Sequence, residues 1–168
     1  MEKIKIRINI KNSKSINIDL YPDIAPITVN NFVELIKKNY FDNLIFHRVI
    51  KGFMIQGGGM TEDMKEKTGA KEIKGEFKSN GFDKNNLSHE VGVISMARTM
   101  IKDSASSQFF IVTGNAKFLD GEYAAFGKVS DEESLRVALE IENVKTGSKN
   151  FHEDVPIEPI VIKNIELI

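Results

Sequence analysis

Four isoleucines at positions 4, 6, 8 and 10 alternate with Lys5, Arg7 and Asn9. A period of two gives an extended segment one apolar face and one polar face, which is the pattern of a strand lying on a core. Asn12 and Ser13 supply a turn, and Ile16, Ile18 and Leu20 resume the alternation, so the first twenty residues are expected to form a β-hairpin. Beyond Pro22 the period lengthens. Val29, Phe32, Val33 and Ile36 lie on one helical stripe, with Pro26 in a first turn that does not need its missing N–H, and the helix is expected to end near Asn39.

From Leu44 to Gln56 the chain is apolar and β-prone, and the triplet Gly57-Gly58-Gly59 follows. A regular strand would place Phe46, Arg48, Ile50, Gly52, Met54 and Gln56 on one side, and the glycines predict a tight bend or bulge. Residues 60–90 have weak periodicity and are expected to be long surface loops, with one short strand around residues 73–77. Further strands are expected at residues 91–97, 108–113, 124–129 and 157–167, the last after Pro156 and Pro159. Ser130 and Glu133 match a capping box that opens a second helix, with Leu135, Ala138 and Leu139 on its buried side and Ile141 nearby.

About eight strands and two separated helices result. They do not alternate as crossover units do, so the expected fold is mainly β, a closed antiparallel barrel in one domain spanning residues 1–168. At 168 residues with 41% hydrophobic content, the chain can bury a core without staples, covering roughly 70% of its extended surface on folding.

Composition removes several functions. Lysine and arginine total 23 against 24 acidic residues, which lacks the basic surplus of a dedicated nucleic-acid binder. The absence of cysteine excludes a disulfide framework, a thiolate nucleophile, an iron–sulfur site and a cysteine-based zinc site. No apolar run approaches the roughly 20 residues of a membrane span, and the opening residues lack a signal-peptide segment, so a cytoplasmic location is expected. His47, His89 and His152 have no metal-ligand spacing, and no P-loop or Gly-x-Ser-x-Gly elbow is present. Asp120-Gly121-Glu122 lacks a calcium-loop pattern and is expected to be a turn. No metal and no cofactor are therefore expected.

What remains is apolar surface with one fixed charge. Arg48 and Gln56 share a segment with Met54, either as a mixed polar and apolar patch or as a surface arginine lying beside a bulge. Adjacent Phe109 and Phe110 must point to opposite sides of a strand, so one can enter the core while the other faces a groove, unless the interior absorbs it. Phe118, Leu119 and Phe126 add further apolar surface. This inventory suits an apolar peptide segment better than hydrolysis.

Three motifs carry a family resemblance. Phe46-His47-Arg48-Val49-Ile50 through Gln56-Gly57-Gly58, then Ser95-Met96-Ala97-Arg98 with Ser106-Ser107-Gln108-Phe109-Phe110-Ile111, then Phe118-Leu119-Asp120-Gly121 with Phe126-Gly127-Lys128-Val129 resemble the cyclophilins, in the right order and over essentially the whole chain. The resemblance implies a closed eight-stranded antiparallel barrel capped by two α-helices, with peptidyl-prolyl isomerase activity in a groove outside the barrel. It implies a catalytic role for Arg48 with Gln56 beside it, and a proline pocket of Phe53, Met54, Phe110 and Leu119. Ala97, Arg98 and Gln108 match groove positions that meet the substrate backbone. The substrates implied are proline-containing peptides and flexible or unfolded protein segments, with no nucleic acid or membrane partner and a monomeric state. A catalytically weak or idle proline-peptide-binding or chaperone module on the same fold is the alternative.

Two positions depart from the commonest pattern. Phe118, which the resemblance counts with Tyr123 among the substrate-binding residues, stands where many members have tryptophan and lacks the indole donor, which implies weak cyclosporin binding. Tyr123 stands where histidine is frequent at the pocket rim. Phe118 and the loop from Arg98 to Ala105 resemble bacterial members.

Overall fold

The computed structural model describes residues 2–168. The expected hairpin is β1 (Ile4–Ile10) and β2 (Ser15–Leu20), followed by α1 (Pro26–Lys37). Next come β3 (Leu44–Ile50), β4 (Met54–Thr61), β5 (Val93–Met96), β6 (Phe109–Val112) and β7 (Ala125–Val129). The chain finishes with α2 (Glu132–Glu142), β8 (Thr146–Lys149), β9 (His152–Pro156) and β10 (Ile162–Leu167).

Eight strands pair antiparallel in the order β10-β1-β2-β7-β5-β6-β4-β3. The two ends of this sheet meet through a bridge between Ile45 and Val161 and through the amides of Asn43 and Phe46, which donate to the carbonyls of Ile162 and Ile160 at 2.8 and 3.0 Å. The result is a nearly closed barrel capped by two helices, which leaves few backbone groups at an open edge. Its interior is filled by the predicted parity: Ile6, Ile8, Ile18 and Leu20 are fully buried, and Phe32 and Phe41 bring aromatic rings from the α1 end onto Phe109.

Several expectations are corrected. The apolar stretch from residue 44 to 56 is not one strand, because the chain reverses at residues 51–53 and forms the β3–β4 hairpin. The glycine triplet then lies within β4, where the register jumps from Ile45–Met60 to Phe46–Gly57, so the bulge reading holds. Gly58 sits at φ +89°, a conformation that favours glycine.

The strand expected at residues 73–77 reduces to a single bridge between Ile73 and Ala105. Its neighbourhood is no surface loop, since Glu76 and Phe77 are buried. The α1 N-terminus has no side-chain cap at Ala25. Glu76 supplies the acceptors instead, receiving the Thr28 amide and hydroxyl, each at 2.7 Å, and the Ile27 amide at 3.2 Å.

At α2 the cap is Asp131, which accepts the Ser134 amide at 2.7 Å, while the Ser130 hydroxyl turns to Asp19. The buried face is Ser134, Val137, Ala138 and Ile141, leaving Leu135 and Leu139 half-buried. Ser134 fixes that rotation because its hydroxyl accepts the Asn17 amide of β2 at 2.8 Å. The last strand begins only at Ile162, and residues 146–156 form the two-stranded β8–β9 sheet, which the polar sequence did not announce.

Candidate active site

The β3–β4 hairpin places Arg48 opposite Gln56 in the ladder. The pair lies side by side across two strands and not along one, which is why both reach the same outer patch. Arg48 Nη1 donates to Gln56 Oε1 at 3.3 Å, and Gln56 Nε2 donates to Gln108 Oε1 at 2.9 Å. This line of side chains fixes the glutamine amide in one sense. Arg48 is exposed, and Gln56 Oε1 is the one protein acceptor for its guanidinium among the described residues. A Cβ on Gly59 would lie 2.3 Å from Gln108 Cγ, so the bare backbone there makes room for the Gln108 side chain.

The hairpin turn is anchored twice. The Gly52 amide donates to Glu142 Oε2 at the end of α2 at 2.8 Å. The Phe53 carbonyl accepts the amides of Thr113 and Gly114 at 2.9 and 3.2 Å. Phe53 is thereby fixed against the end of β6.

A cavity of about 130 Å³ opens on the outer face of the β4–β6–β5 wall. Its lining is Arg48, Phe53, Met54, Gln56, Ala97, Arg98, Phe110, Leu119 and Tyr123. Gln108 lines an adjoining cavity of about 170 Å³, which shares Gln56, Ala97 and Arg98 with the first. Phe118 lines neither; it is 68% exposed and stacks on Phe53 with ring centroids 5.5 Å apart. Its contribution is to back Phe53.

Arg98 is held more firmly than a surface arginine. Its Nε and Nη2 donate to the Glu122 carbonyl at 3.1 and 2.7 Å, and its Nη1 donates to the Thr99 carbonyl at 2.9 Å. The guanidinium also lies over the rings of Phe77 and Tyr123, 4.8 and 4.6 Å from their centroids. Tyr123 in turn meets Phe110 edge-on at 5.9 Å.

Sequence reasoning considered the histidines only as metal ligands and missed what His89 does. Its ring is buried, stacks on Phe110 with a 17° interplanar angle, and lies 2.9 Å from Asp120 Oδ1 and 2.8 Å from Ser95 Oγ. Burial pushes its pKa below the usual imidazole value, against the pull of Asp120. Burial would raise the Asp120 carboxyl, but hydrogen bonds from Ser88 and from the amide and ring of His89 outweigh it and hold the group low. The only signal in the sequence was the position of Asp120 beside Leu119. His47, next to the exposed Arg48, is itself buried, and its pKa falls to about 4 through burial, then the charges of His152 and Arg48.

Among the described residues no three His, Asp or Glu side chains gather as a metal site. The cavity lining holds two arginines, a glutamine, a tyrosine and an apolar floor, with no carboxylate or imidazole to move a proton. Such a site can seat a small apolar ring and present a directed cation to it.

A family model described as cyclophilin-type peptidyl-prolyl cis-trans isomerase/CLD matches residues 5–167. The chain is 41% identical over 169 residues to a peptidyl-prolyl cis-trans isomerase of Acinetobacter baylyi, covering 98% of this chain and 84% of that protein. It is 44% identical over 149 residues to peptidyl-prolyl cis-trans isomerase A of Dickeya dadantii, with 86% and 74% covered. A cyclophilin-type isomerase of Cryptosporidium parvum, crystallised in the presence of the dipeptide Ala-Pro, superposes with a TM-score of 0.75 at 30% identity over 98% of each chain.

Proposed function

Because the chain belongs to the cyclophilin-type peptidyl-prolyl cis-trans isomerase family, a membership that supports isomerase activity in general, we propose that it accelerates rotation about Xaa-Pro bonds at the cavity over Phe110. Its substrates are proline-containing peptides and flexible protein segments. Crystallisation of the Cryptosporidium relative in the presence of the dipeptide Ala-Pro supports that substrate class.

Rotation about a peptide C–N bond faces a barrier of roughly 18–20 kcal/mol because resonance gives the bond double-bond character. Cis and trans Xaa-Pro differ by only about 0.5–1 kcal/mol, so a catalyst has little to do for either end state and everything to do for the twisted one. Twisting localises the lone pair on the prolyl nitrogen. Arg48, always protonated and rich in directed donors, stabilises that nitrogen as the lone pair forms. Phe53, Met54, Phe110 and Leu119 hold the prolyl ring while the carbonyl side rotates. Gln56 orients Arg48, and Ala97, Arg98 and Gln108 border the path of the substrate backbone. No bond is broken and no proton is transferred.

The observation that carries this reading is the single cavity shared by the Arg48 side chain and the apolar seat. NMR exchange spectroscopy on an Xaa-Pro peptide is expected to show faster cis/trans exchange at an unchanged equilibrium ratio. Arg48→Ala is expected to lower turnover by about 10²-fold, the scale of a lost transition-state donor, with much less change in peptide affinity. Wild-type exchange at the uncatalysed rate would reject isomerase activity and leave a peptide-binding module. Equal losses in turnover and affinity on Arg48→Ala would make Arg48 an ordinary binding contact.

A further inference from the structure

Beneath the proline seat lies a polar line, buried at His89 and Ser95 and reaching the surface at Asp120, that the proposed mechanism does not use. Asp120 Oδ1 accepts the His89 main-chain amide at 2.6 Å and faces His89 Nδ1 at 2.9 Å, and Asp120 Oδ2 accepts the Ser88 hydroxyl at 2.6 Å. On the far side of the ring, His89 Nε2 faces Ser95 Oγ at 2.8 Å. These are the three residue types of a nucleophilic triad, but Ser95 is fully buried within β5 and cannot meet a substrate. The line must act on something else.

Its chemistry fixes the ring. An ionised carboxylate only accepts, so Nδ1 carries the proton and donates to Asp120. A neutral imidazole then has a lone pair at Nε2, and the Ser95 hydroxyl donates to it. The lowered pKa of His89 agrees with a neutral ring. Two hydrogen bonds in opposite senses therefore set the tautomer and the ring plane together.

That plane is 17° from the plane of Phe110, with centroids 5.9 Å apart, an offset stack. The partners of His89 do not line the cavity themselves but adjoin residues that do. Ser95 pairs with Phe110 in the β5–β6 ladder and lies two residues before Ala97. Asp120 follows Leu119 directly. Movement of the imidazole would thus be felt by Phe110, Leu119 and Ala97 together.

We propose that His89, locked as the Nδ1–H tautomer between Asp120 and Ser95, is a positioning residue that fixes the Phe110 ring and with it the seat for proline. This deepens the isomerase reading and rests on it for its functional meaning.

The test compares the whole chain with Asp120→Ala, Asp120→Asn and Ser95→Ala, using a proline-containing peptide as ligand and substrate. Long-range ¹H–¹⁵N correlation is expected to show His89 protonated at Nδ1 and bare at Nε2 at neutral pH. Asp120→Ala and Ser95→Ala are expected to displace the Phe110 aromatic resonances. Ser95→Ala should raise KM about tenfold, the scale of one lost buried hydrogen bond, and Asp120→Ala, which removes three accepted contacts, by at least as much, with kcat much less affected in both. Asp120→Asn keeps an acceptor at Oδ1 and can donate to Ser88, so it is expected to restore KM and the Phe110 resonances nearly to wild type.

A wild-type ring protonated at Nε2 would overturn the proposal. So would Phe110 resonances and KM that stay at wild-type values in both Asp120→Ala and Ser95→Ala. Should Asp120→Ala not fold, an unchanged Ser95→Ala protein alone overturns it. If the wild type binds the peptide without speeding exchange, the isomerase reading fails separately, and tautomer, ring resonances and peptide affinity still decide the role of His89.

Discussion

Phe109 and Phe110 are consecutive on β6, and both are almost completely buried, at 0% and 4% exposure. Their surroundings differ. Phe109 points into the barrel, where the rings of Phe32, Phe41 and Phe46 close on it at 5.5 to 5.9 Å. Phe110 points outward into a smaller cluster that includes Met54, Val93, Val112 and Ala125, and whose partly exposed cover includes Phe53, Leu119 and Tyr123. One side is filled, and the other opens onto the cavity of about 130 Å³. Burial alone would not separate a core residue from a binding residue here; the free volume beside it does.

That contrast can be broken by mutation. Phe109→Ala should be the more damaging to the fold, costing about 3–5 kcal/mol because the packed interior cannot collapse around the void. Chemical denaturation would measure it, while the folded fraction keeps its affinity for a proline peptide. Loss of peptide affinity matching that of an outer-face variant would show that the two faces are not independent.

The next effect concerns a covered part of the outer wall. His47 on β3 is buried, with the charges of His152 on β9 and of Arg48 adding to the effect, and its folded pKa of about 4 is below the roughly 6.5 of a free imidazole. Between those values the unfolded chain binds more protons than the folded one, so stability rises with pH. The contribution of His47 is complete above about pH 6.5 and is lost as the pH falls towards 4, a span of order 3 kcal/mol. His89 adds a slope of the same sign. Urea midpoints at pH 7 and 4.5 should differ less in His47→Asn than in wild type; an unchanged difference would place the proton uptake elsewhere.

Phe110→Ala is expected to act chiefly on substrate, raising KM about tenfold through lost apolar contact with the prolyl ring. Peptide titration checks it, and an unaltered Kd would remove Phe110 from the seat. The smallest effect is expected at Phe118, which lies outside the cavity and backs Phe53. Phe118→Trp should tighten cyclosporin binding several-fold by adding an indole donor at an exposed rim, on the scale of one net hydrogen bond. Unchanged affinity by calorimetry would show that the rim donor is not what limits it.

The same contrast explains what could be read from residues alone. Period-two alternation announced β1 and β2 because each has one wet and one dry face, and the α1 stripe was legible for the same reason. Arg48 and Gln56 were paired for an incorrect geometric reason, since a turn at residues 51–53 and not a straight strand unites them. The β8 and β9 strands, TGSK and HEDVP, carry too few apolar residues to show a period. His89 was illegible as a support because its partners Ser95 and Asp120 lie 6 and 31 residues away, and only tertiary packing brings them together. Likewise, nothing local marks Glu76 as a helix cap.

That last contact bears on the order in which the molecule is completed. The first turn of α1 has three groups waiting for an acceptor that stands 48 or 49 residues further along the chain. During synthesis, the helix end at residue 26 emerges long before its carboxylate, so its amides depend on water until residue 76 arrives. Once seated, Glu76 brings with it Phe77, over which the Arg98 guanidinium lies. The cap of α1 and the support of Arg98 thus hang on two consecutive residues, and a nascent fragment that stops short of Glu76 would lack both.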